Sequence, residues 1–497
     1  MGILVDGTAK ATVPAPGELP TGNRRTLLPR LSFAERRWLL LFLDVVALNA
    51  SLLAALALRF GYAFSWRTLG AAPIYFVLLS ALWLVWALFF DCYDMPATAD
   101  ASESAWRAGR AGLLTAVCYL AIPYFTPPFP ASRLSAYLFV GLATVSVPAW
   151  RVLYAAVFVQ PAFQQRVLIV GAGRSGAELA RVLAATPQEG NPYAGSGYRA
   201  VCFVDDDPAK AGTQVEGLPV LGDRRDLRRL TGEYKVDVVV VAITDTGKIH
   251  PDLLQALLDC REQGLRLVPM TVLYEQLTGR VPVGHVGGNV QVALPLLDPA
   301  TRRPYEAVKR LGDLTVAATG LIGVVLIAPW VAVANALWSP GPLFYWQARV
   351  GRGGRPFQLV KFRSMVLWAE AGSGAVWASE GDRRVTPAGR ILRRMRLDEL
   401  PQVWNILKGE MSLVGPRPER PEFVARLVSQ IPCYQARHAL PPGITGWAQV
   451  RYRYGSSVED ARVKLEYDLY YIKHQGLYLD LSILAKTGAV MLGLRGR

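Results

Sequence analysis

Histidine and cysteine are scarce, with four and five residues in a chain of 497. The cysteines (Cys92, Cys118, Cys202, Cys260 and Cys433) are scattered and form no Cys-x-x-Cys pair, which argues against a disulfide framework and against a zinc site. With the histidines also far apart, the metal chemistry left open is a hard cation held by carboxylates. Charge is sparse too: 19% of residues are charged against 52% hydrophobic, too apolar for a purely soluble enzyme, and part of the chain is expected in a bilayer. Acid is the scarcer sign, leaving a net charge of +15. The arginines flank apolar segments rather than forming one basic tail, so the positive-inside rule accounts for the excess and nucleic acid is not an expected partner. Residues 1 to 36 are Pro/Gly-rich and then Arg-rich, without the small-residue cleavage site of a signal peptide.

Long apolar runs are what the chain has instead. Four stretches, 37 to 59, 71 to 92, 111 to 129 and 135 to 159, each approach the ~20 residues of a spanning helix, and they predict a four-helix transmembrane bundle over 37–160. Arg24, Arg25, Arg30, Arg36 and Arg37 precede the first span, so the tail 1–36 and everything after 160 are expected in the cytoplasm. Asp44 lies within the first span, where a carboxylate either contacts another helix or serves a function.

Residues 161–300 read as a Rossmann-like parallel α/β domain. "RVLIV", "YRAVCFV", "VDVVVVAIT" and "LRLVPM" are apolar throughout, as in a sheet covered on both faces. The turn from Gly171 through Gly173 to Gly176 has the Gly-x-Gly-x-x-Gly spacing between a strand and a helix, and Asp205 ends the next strand where a ribose-binding acid would lie. NAD(P) or another nucleotide fits this pattern. So does the plainer reading, in which the glycines only permit a tight turn.

A fifth apolar stretch, 314 to 338, has basic residues on both sides: Arg302, Arg303, Lys309 and Arg310 before it, Arg349, Arg352, Arg355, Lys361 and Arg363 after it. Both ends therefore prefer the same face of the membrane, and Pro329 near its middle favours a bend, which together predict a re-entrant helix. A full fifth span is the competing reading. The remainder of 301–497 is expected to be a mostly α-helical catalytic module, its last helix either along the headgroups or packed in the core.

Within that module "RRMRLDELPQVWNIL" sets Asp398 beside Glu399. Asp398 as an N-cap, with Glu399 in the first turn and Pro401 early in the helix, is a complete structural explanation. Yet Arg390, Arg393, Arg394 and Arg396 precede the pair, Lys361 and Arg363 stand in "KFRSM", and Arg417 stands in "GPRPE". Positive charge at a helix start keeps a carboxylate ionised and makes an anion site suited to a diphosphate. Adjacent helical residues diverge, so the two acids would divide the work: one attacks phosphorus, the other holds Mg²⁺.

"LVKFRSM", "RRVTPAGRILRRMRLDELPQVWNILKGEMSLVGPRPERPEF", "PPGITGWAQV" and "LEYDLYYIKHQGLYLDLSILAKT" together resemble the bacterial sugar transferases, monotopic polyprenyl-phosphate phosphoglycosyl transferases, over about residues 305–497. The bundle and Rossmann-like domain are similar to the long members that initiate exopolysaccharide, O-antigen or capsule synthesis at the bacterial inner membrane. The resemblance implies transfer of hexose-1-phosphate from a UDP-sugar to undecaprenyl phosphate with release of UMP. It also implies that Asp398 is the nucleophile, Glu399 the Mg²⁺ ligand, Lys361 a phosphate contact and Arg417 a contact to nucleotide or phosphate. Arg363 and Arg393 are further candidates for phosphate. The family's re-entrant helix breaks at a Ser-Pro pair, where this chain has Ala328-Pro329. A homodimer is expected from spans that carry little chemistry. The rival expectations are a nucleotide-sugar epimerase or dehydratase on the α/β domain and a non-enzymatic scaffold for polysaccharide assembly.

Overall fold

The computed structural model describes residues 33–60, 73–93, 98, 100–122, 133–158, 164–185, 197–244, 247, 249–285, 299–367, 369, 382, 384–452, 455 and 457–491. The basic tail with Arg24, Arg25 and Arg30, and also Arg383, lie outside the described residues. The chain divides into two compact units: Met1–Asp44 with Asp94–Ala105 and Ala149–Thr278, and Val45–Tyr93 with Trp106–Pro148 and Gly279–Arg497.

Four helices come first: α1 (Phe33–Phe60), α2 (Pro73–Phe89), α3 (Ala101–Ala121) and α4 (Arg133–Phe158). Among the described residues three helical segments are long and apolar enough to cross a membrane, Glu35–Ala57, Ala136–Ala156 and Arg303–Trp338. Of the four expected spans, α1 and α4 meet that test; α2 is apolar but shorter, and α3 carries Glu103, Arg107 and Arg110. α3 also starts well upstream of the expected 111, because Asp100 caps it by accepting from the N–H groups of Ser102 (2.8 Å) and Glu103 (3.1 Å). Both faces of α1 are apolar: Leu40, Leu48 and Leu52 are buried, while Trp38, Phe42 and Val46 face outward, as on a helix in lipid. Asp44 is fully buried against Arg151 of α4, whose Nε donates to Oδ1 at 2.9 Å and whose Nη2 donates to Oδ2. The carboxylate thus serves a helix contact, one of the two readings its position allowed.

In the α/β region of the first unit, β1 (Gln165–Val170), α5 (Arg174–Ala184), β2 (Tyr198–Val204), β3 (Gln214–Val215), β4 (Leu218–Gly222), α6 (Leu227–Glu233), β5 (Val238–Val241), α7 (Pro251–Glu262), β6 (Arg266–Pro269) and α8 (Met270–Thr278) build one six-stranded sheet. Its order is β3-β4-β2-β1-β5-β6, with only β3 antiparallel. One face packs Val167, Ile169 and Val240 against Leu179, Leu273 and Leu277; the other packs Leu168, Val170 and Val239 against Leu230, Leu253 and Leu257. Burial on both faces explains why these strands are apolar at every position.

In the second unit the long helix α9 (Pro299–Trp338) leads into the hairpin β7 (Phe344–Val350) and β8 (Pro356–Phe362), then α10 (Pro387–Arg394), α11 (Val403–Lys408), β9 (Ser412–Val414), α12 (Pro421–Gln430), β10 (Gly443–Thr445), α13 (Trp447–Arg451), α14 (Val458–Lys473) and α15 (Leu477–Met491). The backbone of α9 stays helical through Pro329. Its buried stripe, Ala317, Val324 and Val331, packs with Leu359, Phe362, Leu392, Val403 and Ile406, while Ile322, Val325, Leu326, Trp330 and Val333 point outward. α15 reverses the usual polarity of a surface helix: Asp480, Ser482 and Lys486 are buried, and Leu477, Leu481 and Leu484 are exposed. An apolar outer face over a polar inner one is what a helix against lipid needs.

Candidate active site

α10 is seated by Thr386, whose Oγ1 accepts from the Gly389 N–H (2.9 Å) and whose N–H donates to the Ser364 carbonyl (3.1 Å). Gly389 lies so close to that carbonyl that a Cβ would stand 1.9 Å from its oxygen, so only glycine permits this approach. Arg393 then donates from Nε to Ser364 Oγ (2.9 Å). After α10 the chain reverses through Arg396 in the left-handed region (φ 58°) and enters a 3₁₀ turn, Leu397–Gln402. Asp398 is therefore not an N-cap: the cap position is Arg396, without a side-chain cap bond, and the acid lies inside the turn. At three residues per turn Asp398 and Glu399 diverge by about 120°.

The divergence gives the acids different surroundings. Glu399 Oε1 accepts from Lys361 Nζ at 2.9 Å and from Arg417 Nη2 at 2.7 Å. Burial opposes its charge, but Arg417 and Lys361 prevail and hold the carboxyl far below the ordinary glutamate value. Asp398 is buried, and burial followed by the charge of Glu399 pushes its carboxyl up, partly offset by Lys361, Arg393 and Arg396. Burial also pulls the Lys361 ammonium down, with Glu399 opposing and Arg417 assisting.

Lys361 reaches the site from β8, which Asn405 of α11 clamps. Its Nδ2 donates to the Gln358 carbonyl and to Glu410 Oε2 (both 2.7 Å), and its Oδ1 accepts from the Val360 N–H (3.1 Å). Arg417 projects from the Pro416-Arg417-Pro418 turn after β9. Two further arginines fix that turn: buried Arg437 donates to the Arg417 carbonyl (3.0 Å) and to Asp468 Oδ2 (2.8 Å), and Arg349 donates to the Pro418 carbonyl (3.0 Å). Sequence alone does not single out Asn405, Arg437 and Arg349 as site residues. Their partners lie far along the chain, and no local motif marks them.

The structure thus brings Asp398, Glu399, Lys361 and Arg417 together, with Arg393 near enough to lower the Asp398 pKa. Arg363 is spent elsewhere. Its Nε donates to the Pro342 carbonyl (2.8 Å), Nη1 to Ser339 Oγ (2.8 Å) and Nη2 to the Ser339 carbonyl, which closes the C-terminal end of α9. Among the described residues no cluster of three or more His, Cys, Asp or Glu could enclose a metal ion.

In the α/β region Gly171 has φ 103° and Gly176 sits where a Cβ would stand 2.0 Å from the Gly171 carbonyl oxygen; both positions demand glycine. Gly173 has open space around it. Asp205 Oδ2 accepts from the Ala172 N–H (2.6 Å) and from Lys210 (3.1 Å), and Oδ1 accepts from the Asp207 N–H (2.9 Å), so its carboxylate braces the turn.

Comparison with known proteins adds two matches to described families: bacterial sugar transferase over residues 304–493, and CoA-binding domain over residues 88–259. The chain is 39% identical, across 60% of its length and 67% of the relative's, to UDP-N-acetylgalactosamine-undecaprenyl-phosphate N-acetylgalactosaminephosphotransferase of Aeromonas hydrophila. It is 35% identical to UDP-glucose:undecaprenyl-phosphate glucose-1-phosphate transferase of Xanthomonas campestris pv. campestris, over 66% of this chain and 67% of that one. With the protein of the latter description from Caulobacter vibrioides it shares 42% identity over 38% of its own length and 71% of the relative's. The segment that carries the carboxylate pair and its cations lies wholly inside the first family match, and the chain belongs to the bacterial sugar transferase family.

Proposed function

We propose that the protein transfers hexose-1-phosphate, or its N-acetylhexosamine counterpart, from a UDP-sugar to undecaprenyl phosphate and releases UMP, the membrane step that starts a surface polysaccharide. One observation carries this reading: two adjacent acids on a 3₁₀ turn stand in different surroundings, Glu399 clamped by Lys361 and Arg417 and Asp398 buried next to that clamp. In the first half-reaction a carboxylate oxygen of Asp398 attacks the phosphorus that bears the sugar. The bond from that phosphorus to the bridging oxygen breaks, and UMP leaves with the electron pair. In the second, a phosphate oxygen of undecaprenyl phosphate attacks the same phosphorus, the acyl-phosphate bond breaks, and Asp398 is returned as a carboxylate.

Lys361, Arg417 and Arg393 supply positive charge to the diphosphate, and the backbone hold of Arg437 and Arg349 on the Pro-Arg-Pro turn keeps Arg417 pre-organised. Glu399 would hold Mg²⁺, which when bound supplies charge neutralisation on the diphosphate. Arg363 serves the fold by closing α9. The four amino-terminal helices are read as a multi-pass anchor in the bacterial cytoplasmic membrane, α9 as re-entrant, and the catalytic module as cytoplasmic; a homodimer remains part of the reading. The test is a panel of UDP-sugars scored by UMP release with Mg²⁺ and undecaprenyl phosphate. Glucose and N-acetylgalactosamine donors are the first candidates, since these are named for the relatives. Asp398→Asn should abolish release, and a phosphosugar adduct should be trapped on the wild-type protein alone. Full turnover by that variant would end the covalent scheme.

A further inference from the structure

Asp91, just past α2, and Lys486, in α15, form an ion pair that the site described above does not use. Oδ1 and Nζ are 2.5 Å apart, and the two side chains are 9% and 3% exposed. Asp91 holds a left-handed backbone (φ 54°), the neighbouring Cys92 and Tyr93 are buried, and Trp83 of α2 donates from Nε1 to the Tyr93 hydroxyl at 2.9 Å. Phe89 packs on Gly488, two residues along each segment from the pair. A charged pair this deep recovers little net energy over an apolar contact of the same shape, and its best-attested use is to fix one register.

The register it fixes leads to the candidate active site. Next to Lys486, Thr487 shares a 2.6 Å hydrogen bond with Thr445 of β10, and the Lys486 ammonium lies 5.7 Å over the Trp447 ring. β10 in turn sets the residues that precede Arg417. The Gly415 N–H donates to the Thr445 carbonyl (2.9 Å), and the Gly443 N–H donates to the Pro416 carbonyl (2.9 Å). Gly446 approaches Gly415 so closely that a Cβ would meet its carbonyl oxygen at 2.2 Å, so neither strand end can shift alone. We propose that Asp91 and Lys486 are positioning residues: their pair seats the segment after α2 on α15 and so holds β10 and the Gly415-Pro416-Arg417 turn where Arg417 grips Glu399.

Hydrogen exchange of the full-length protein in detergent tests this without any substrate. In Asp91→Asn and in Lys486→Met, peptides covering 411–420 and 443–451 should exchange about tenfold faster, and the double variant should exchange no faster than either single one. Lys486→Arg, which keeps the cation, should behave as wild type. If Lys486→Met fails to fold, the nearly isosteric Asp91→Asn carries the same measurement. The kinetic arm rests on the transfer reaction proposed above: kcat for UMP release should fall about tenfold in each single variant and no further in the double. Exchange that rises only in 73–93 and 477–491, or single effects that multiply in the double variant, would overturn the assignment. A wild-type protein that releases no UMP from any UDP-sugar would refute the transfer reading alone, and the exchange result would still decide the positioning role.

Discussion

Glu399→Gln removes one charge and leaves two. In the wild type a single oxygen, Oε1, accepts from Arg417 at 2.7 Å and from Lys361 at 2.9 Å, with the three side chains 12%, 30% and 20% exposed in turn. Breaking a buried pair by deleting one partner costs about 3–5 kcal/mol, and the residual exposure of Arg417 argues for the lower end. For a module of this size about 3 kcal/mol corresponds to a fall in melting temperature of roughly 6–12 °C. The loss should also acquire a pH dependence. The Lys361 pKa is already depressed by burial, and losing Glu399 depresses it further. Below the folded-state value the cation is buried without its partner; as pH rises towards the unfolded lysine value of about 10.4, the folded state sheds the proton first and the deficit shrinks. Thermal unfolding in detergent at pH 7 and pH 9.5 should therefore show the gap to wild type narrowing at the higher pH, and Lys361→Met/Glu399→Gln should lose less than Glu399→Gln alone. A variant that melts within about 1 °C of wild type at both pH values would mean that the pair is worth no more than a surface salt bridge, and the electrostatic account of the site would fail.

Because burial and Glu399 raise the Asp398 pKa while Lys361 lowers it, the acid limb of kcat/KM for UMP release should lie above the ordinary aspartate value of about 3.9 and should move to higher pH in the residual activity of Lys361→Met; an unmoved limb would detach that limb from Asp398. Gly389→Ala should abolish the seating of α10, since the new Cβ would stand 1.9 Å from the Ser364 carbonyl oxygen, whereas Gly312→Ala, with open space at that position, should be neutral or stabilising by up to about 1 kcal/mol; limited proteolysis and melting curves separate the two. Asp205→Ala should destabilise the α/β region by about 1–3 kcal/mol by stripping the Ala172 N–H of its acceptor, yet leave UMP release at saturating UDP-sugar unchanged; equal loss of turnover would tie that turn to the chemistry.

Local words carried most of what the sequence revealed. The apolar strands announced a sheet covered on both faces because their period is neither helical nor alternating, and the resemblance carried by the "LDELP" and "GPRPE" segments tied Asp398, Glu399 and Arg417 to one site. The same locality explains the misreadings. Asp398 looked like an N-cap because a cap is a one-residue signal, but the chain turns two residues earlier at Arg396, in a left-handed conformation that arginine does not advertise. α3 starts early because Asp100 Oδ1 is a shared acceptor for three donors of Ser102 and Glu103, a contact hidden by the polar composition of its first turns. Arg437 with Asp468, and Asn405 with Val360, are pairs that only tertiary structure brings together. A single sequence gives such partners no common pattern.

The insertion of α9 is where the two levels meet. Forty helical residues extend about 60 Å, twice the hydrocarbon thickness, so length alone favours a full crossing. The ties along the helix argue the other way. Near its start Arg310 donates to the carbonyls of Ile406 (2.7 Å) and Leu407 (3.1 Å), and Asp313 accepts from the Leu413 N–H (3.0 Å). At its far end the Arg363 guanidinium holds Ser339 and Pro342. Phe362, which precedes Arg363, shares one core with Val403, Ile406 and the middle of the helix. These ties support the re-entrant placement proposed above, since a full crossing would ask the charges of a module that grips both ends of the helix to enter the hydrocarbon. In that proposed placement the outward face of Ile322, Val325, Leu326 and Trp330 would be covered by lipid from one leaflet. The same placement would account for basic residues at both flanks, Arg303 and Lys309 before and Arg349 and Arg352 after, since both flanks would meet the headgroups of one surface.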